Sequence, residues 1–128
     1  MLNYEQNKTQ IIAKNTAYKN NRKKNDPVFR SICNLRSRIS KLCKAIGSGK
    51  KFKTMESIGL TQDEFKLYIE SLFTDGMSWD NYGDWQVDHV KPLRTAKTED
   101  DLFLLNHYSN LQPLWWTDNL AKSGKYDE

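Results

Sequence analysis

Cysteine is scarce in this 128-residue chain. Cys33 and Cys43 are too few for a disulfide framework, and no secretory apolar segment precedes them. They read as small buried hydrophobes in a reducing compartment. No stretch approaches the roughly 18 apolar residues of a membrane-spanning helix, which predicts no membrane partner and a cytoplasmic protein. Histidine is scarce too. Of His89 and His107, only His89 adjoins a carboxylate, Asp88. There is no internal repeat, and no low-complexity tract beyond a Lys/Asn bias at the start. This length with 38% hydrophobic content predicts one domain with a modest core.

Charge is divided unevenly. Residues 1–60 hold 14 Lys and Arg against 3 Asp and Glu, whereas residues 61–128 hold 6 against 13. A basic half joined to an acidic half fits a phosphate-binding arm on a metal-binding body. The plainer alternative is a solvated basic tail on an ordinary domain.

Residues 1–25 are polar, with helix possible and a basic cluster at Arg22-Lys23-Lys24. This cluster is either a flexible terminus or a phosphate clamp that orders on DNA. Asp26-Pro27 has the form of a helix N-cap followed by Pro at the first helical position. Val28, Ile32, Leu35, Ile39, Leu42 and Ile46 then form one apolar helical stripe. Arg30, Asn34, Ser37, Lys41 and Lys44 form a polar row on the opposite side, placed to lie along a phosphate backbone. Gly47-Ser48-Gly49 ends this helix, and Lys50 to Lys53 extend the basic run as a loop.

Thr61-Gln62-Asp63-Glu64 is a capping box, so a helix is predicted over 62–74, with Phe65, Tyr68, Ile69, Leu72 and Phe73 on its buried face. Trp79 to Gly83 reads as a loop in which Trp79 and Tyr82 pack. Trp85 to Val90 alternates as a strand, and Pro92 breaks it. Thr98 to Asp101 starts a helix. Asn110 to Leu114 returns beside the first strand, with Pro113 marking a short or edge strand. Residues 115–123 form a last helix, closed by Gly124. The predicted unit is β-loop-β-helix.

Three short segments carry the chemistry: Asp88-His89 at the end of the first strand, Asn110 opening the second, and Asn119 nine positions later on the last helix, with Lys122 one turn on. Taken singly, each residue would be an ordinary turn or surface group. In this order and spacing, residues 85–122 resemble the HNH endonucleases, matching their first, second and third elements. The third element is commonly His, so this is an H-N-N variant, a form found among active members. Upstream, Phe29-Arg30, Leu35-Arg36-Ser37-Arg38 and Gly76-Met77-Ser78-Trp79-Asp80-Asn81-Tyr82-Gly83 are similar to segments of small phage-type HNH proteins.

The resemblance implies an α+β fold: a ββα-metal core (61–128, with its preceding helix) and a basic, mostly helical DNA-binding arm (1–60). It implies a metal-dependent DNA endonuclease of a phage or its bacterial host. In that reading His89 accepts a proton from water, and Asp88 and Asn119 hold one Mg²⁺ or Mn²⁺. Asn110 pins the intervening loop, completing a catalytic set of Asp88, His89, Asn110 and Asn119. Arg30, Arg36, Arg38, Lys41, Lys44, Lys91 and Lys122 contact double-stranded DNA. The products would carry a 5′-phosphate and a 3′-hydroxyl. Many family members bind a structural zinc through paired Cys-x-x-Cys motifs, but neither Cys33 nor Cys43 lies near the matching positions. No structural zinc is expected, and Trp115 and Trp116 are expected to supply the packing instead. Two rival readings are a non-catalytic or weakly catalytic DNA-binding accessory module of the same fold and a basic RNA-binding protein with a coincidental motif.

Overall fold

The computed structural model describes residues 4–122, and for residues 4–11 the backbone alone. Six helices and two strands follow in the order α1 (Tyr4–Asn25), α2 (Pro27–Ala45), α3 (Thr54–Ile58), α4 (Gln62–Ser71), β1 (Trp85–His89), α5 (Glu99–Leu105), β2 (Leu111–Trp115) and α6 (Trp116–Lys122). This is a mostly helical domain with a small two-stranded antiparallel sheet. Short 3₁₀ turns occupy Trp79–Asn81, Leu93–Thr95 and Tyr108–Asn110. The predicted stop at Gly124 lies outside the described residues.

Local chemistry sets most of the boundaries. Asp26 is extended and its carboxylate accepts from the Phe29 amide at 3.1 Å, so α1 and α2 are separate helices around Pro27. Thr61 and Glu64 complete a reciprocal capping box at α4, and Thr98 and Asp101 do the same at α5. α4 stops at Ser71, three residues short of the predicted end, and leaves Leu72 exposed. α3 has no counterpart in the sequence reading. Gly59 ends it in a left-handed conformation (φ +82°) that disfavours any side chain there, and it lies against the His107 ring.

α2 is the spine. Val28, Ile32, Leu35 and Ile39 are buried as the apolar stripe predicts, Leu42 is half-buried against the same face, and Cys43 rather than Ile46 completes the buried row. The helix ends at Ala45, so Ile46 lies past its last turn and is exposed. The N-terminal half of α2 packs with Ile58, Phe65, Ile69, Tyr82, Trp85, Val87 and Leu111. Its C-terminal half joins Ile39 and Cys43 to Leu93 and Leu102. Trp85 is fully buried, ringed edge-on by Phe73, Trp79 and Tyr82, and its Nε1 donates to the Ser78 carbonyl at 2.8 Å. Trp79 and Tyr82 therefore pack, as expected. The expectation for Trp116 is overturned: it is 46% exposed, because α6 turns that face to solvent.

The strands pair with Trp85 opposite Trp115, Val87 opposite Pro113 and His89 opposite Leu111. Pro113 is tolerated because a two-stranded sheet has only edge strands. No helix among the described residues is long and apolar enough to cross a membrane.

Candidate active site

β1 ends where α6 crosses it, and Asp88, His89, Asn119 and Lys122 line one pocket of about 460 Å³ there. Its remaining wall comes from Arg38, Lys41 and Leu42 of α2 and from Pro92, Leu93 and Arg94 after the strand. The residues picked out at the end of the first strand and on the last helix thus share one cavity.

His89 is 4% exposed. Its Nε2 lies 2.8 Å from Asn106 Oδ1, at the end of α5. Burial pulls its pKa down to about 4, with Arg38 and Lys122 adding to the effect and the Asn106 bond and Asp88 opposing it. The ring is therefore neutral near neutral pH and can accept a proton. The other histidine, His107, bonds Ser109 and stacks on Tyr108, away from this pocket.

Asp88 is buried and both its protein partners lie on one oxygen. Gln112 Nε2 donates to Oδ2 at 3.1 Å across the sheet, and Lys122 Nζ donates to it at 2.6 Å. Lys122 also donates to the His89 carbonyl at 2.7 Å. Among the described residues, Asp88 Oδ1 and the Asn119 amide have no hydrogen-bond partner, although no fully buried polar side-chain atom lacks one. Both groups are therefore open to the pocket as hard oxygen donors. No cluster of three or more His, Cys, Asp or Glu side chains able to hold a metal occurs among the described residues. Two oxygens suit an ion such as Mg²⁺, which keeps several waters and takes one or two carboxylates plus phosphate.

Asn110 sits beyond the pocket and ties the connection between the strands to itself. Its Oδ1 accepts from the Lys91 amide at 2.8 Å, and its Nδ2 donates to the carbonyls of Lys91 and Leu105 at 3.1 and 2.7 Å. Three backbone groups that no sheet partner reaches are thereby satisfied.

The cationic residues divide into three groups. Arg36, Lys41, Lys44 and Lys91 are exposed. Arg38 and Lys122 are committed to the site: Arg38 Nη2 donates to the Val87 carbonyl at 2.9 Å. Its burial lowers the guanidinium's pKa, against the opposing pull of Tyr82 and Asp88. Arg30 departs from the expected outward row. It stacks on the Tyr82 ring at 4.9 Å and donates to the Tyr82 carbonyl at 3.1 Å, while Asn34 donates to the Tyr82 hydroxyl at 2.8 Å. The loop before β1 folds back over this end of α2, so Arg30 serves the fold.

Four contributors escaped the sequence reading. Arg94 lines the pocket, Gln112 donates to Asp88, and Asn106 and Ser57 stand behind His89. Arg94 was legible as a cation five residues past His89. An Asn ending a helix reads only as a stop signal, so Asn106 offered no clue to its partner seventeen positions earlier.

No family model matches this chain, and no solved structure matches it. It is similar to two proteins of Acanthamoeba polyphaga mimivirus. One, uncharacterized protein L246, is 36% identical over 124 residues, covering 94% of this chain and 54% of the relative. The other, uncharacterized protein L426, is 33% identical over 108 residues, covering 82% and 47% respectively. The chain thus spans about half the length of the curated relatives it matches.

Proposed function

We propose that this chain is a metal-dependent DNA endonuclease with the ββα-metal arrangement of the HNH enzymes, its core formed by β1, β2 and α6. One observation carries the reading: Asp88, His89 and Asn119 line a single pocket whose wall also holds Arg38, Lys41, Arg94 and Lys122. A carboxylate, an amide and a neutral imidazole among four cations suit an anionic phosphodiester and an attacking water.

The cations draw the DNA backbone to the pocket. His89 takes a proton from the attacking water, a contribution of roughly 10²–10⁴-fold. Asp88 Oδ1 and the Asn119 oxygen would hold one Mg²⁺ or Mn²⁺. When bound, that ion supplies charge neutralisation at the scissile phosphate and stabilises the leaving 3′-oxygen. Asn110 acts through the backbone, keeping the chain after His89 in place. Lys41 and Lys44, exposed along one side of α2, extend the cationic track away from the pocket. The substrate in this reading is double-stranded DNA.

Supercoiled plasmid incubated with Mg²⁺ or Mn²⁺ tests the proposal. Nicked or linear product with 5′-phosphate ends is expected. Cleavage that persists in EDTA, or in His89→Ala, overturns it. A second reading, a DNA-binding accessory module of the same fold, draws support from the Lys122–Asp88 pair, which neutralises the carboxylate with no metal ion. Tight DNA binding with intact plasmid under all metal conditions would favour that module.

A further inference from the structure

Behind His89 runs a buried chain of three hydrogen bonds whose direction can be read from its far end. Ser57 Oγ lies 2.6 Å from the Thr54 carbonyl, which can only accept, so the hydroxyl hydrogen points there. The Ser57 oxygen is then an acceptor, and the Asn106 atom 2.8 Å from it is the amide nitrogen. Asn106 Oδ1 is left facing His89 Nε2, and that ring nitrogen must donate. Thr54, Ser57, His89 and Asn106 are all buried, so the order is set by these groups themselves. A neutral imidazole with its proton on Nε2 carries its lone pair on Nδ1. Nδ1 has no partner among the described residues, where no buried side-chain nitrogen or oxygen goes unpaired, so it is open to the pocket that His89 lines.

We propose that Asn106, oriented by Ser57, is a positioning residue that locks His89 in the Nε2–H tautomer and presents a bare Nδ1 to the pocket. The function assigned to the relay rests on the nuclease reading; the tautomer does not. α3, which also supplies Ile58 to the core, takes part in this arrangement. That five-residue helix delivers Thr54 and Ser57 beneath a histidine more than thirty positions away. Second-layer partners that fix a histidine's tautomer and ring angle are a general device for aiming its free nitrogen.

The test separates the two readings. Protein labelled with ¹⁵N-histidine, with His107→Gln used for assignment, is examined near neutral pH by two-bond ¹H–¹⁵N correlation. The wild-type His89 ring should show a pyrrole-like Nε2 and a pyridine-like Nδ1. Asn106→Leu, which removes the acceptor, should give a mixture of tautomers; Asn106→Asp, which keeps one, should hold the Nε2–H form. In plasmid cleavage Asn106→Leu should lose at least about tenfold in kcat with little change in KM, since a misdirected base forfeits much of general-base catalysis. If Asn106→Leu does not fold, Ser57→Ala, which frees the Asn106 amide to turn over, should give the same mixture. A wild-type ring protonated on Nδ1, or a pure Nε2–H ring in the folded variants lacking the acceptor or its guide, overturns the relay. So does full cleavage by a variant whose tautomer has changed. If the tautomers behave as expected and the wild type leaves DNA intact, the relay stands and the nuclease reading falls.

Discussion

Lys122 Nζ lies 2.6 Å from Asp88 Oδ2 and 2.7 Å from the carbonyl oxygen of His89, so one ammonium closes the end of β1 onto α6. The family resemblance would send this lysine to a phosphate. In the fold it is the counter-ion of the carboxylate proposed to hold the metal. Lys122→Met should therefore destabilise the protein by about 1–3 kcal/mol, less than a fully buried pair because part of each side chain is wet. It should also leave Asp88 hungrier for a cation. Thermal melts with and without Mn²⁺ should show a larger upward shift in the variant than in the wild type. Equal shifts would mean the lysine and the ion do not compete for Asp88.

Acid should weaken the fold through His89. Its folded pKa of about 4 lies below the usual 6.5, so between those values the unfolded chain binds the extra proton and the native chain does not. The stability tied to the neutral ring is complete above 6.5 and is lost as pH falls through about 4. The full span is worth about 3 kcal/mol. Urea midpoints of the wild type and His89→Gln, measured in EDTA, should converge as the pH is lowered. Parallel curves would place the titration elsewhere.

Trp85 and Trp116 should behave as opposites. Trp85 fills the centre of the main cluster, and Trp85→Ala should cost about 3–5 kcal/mol, enough to unfold a domain this small. Trp116 is half in solvent, and Trp116→Ala should stay within about 0.5 kcal/mol. Denaturant unfolding of the two variants checks this directly. A large effect at Trp116 would mean that α6 is covered by something beyond the described residues.

Binding to duplex DNA should depend on salt through Lys41, Lys44 and Arg94. Replacing any one of these cations by Ala should reduce the slope of log K against log salt by about 0.9, the effect of one phosphate left unneutralised. Arg30→Ala should leave the slope unchanged and lower stability instead, since its guanidinium is held by Tyr82. A drop in slope for Arg30→Ala would show that the stacked arginine still reaches DNA.

Features written in short stretches of chain were legible before any fold was known. Asp26-Pro27, the Thr61–Glu64 box and the apolar stripe of α2 act within one or two helical turns, where side chain and backbone are neighbours whatever else happens. The spacing of Asp88, His89, Asn110 and Asn119 was legible too, because Asp88 and His89 end β1, Asn110 directly precedes β2 and Asn119 sits midway along α6, short elements whose type the local pattern sets. The short α3 was not legible, since five residues cannot sustain a helix without the neighbours they pack on.

What lies across the chain belonged to the tertiary structure. Periodicity put Arg30 outside, but only the return of the loop before β1 brings Tyr82 over it. Cys43 is buried beside a half-buried Leu42 because Leu93 and Leu102 close over α2 one residue further round the helix than the stripe pointed. His89 meets Asn106 across seventeen positions, Asn106 in turn meets Ser57, and Lys122 meets Asp88 across thirty-four. Sequence spacing carries no information about which buried polar groups must satisfy one another. That is decided when the chain closes and water leaves, because each donor then needs an acceptor within reach.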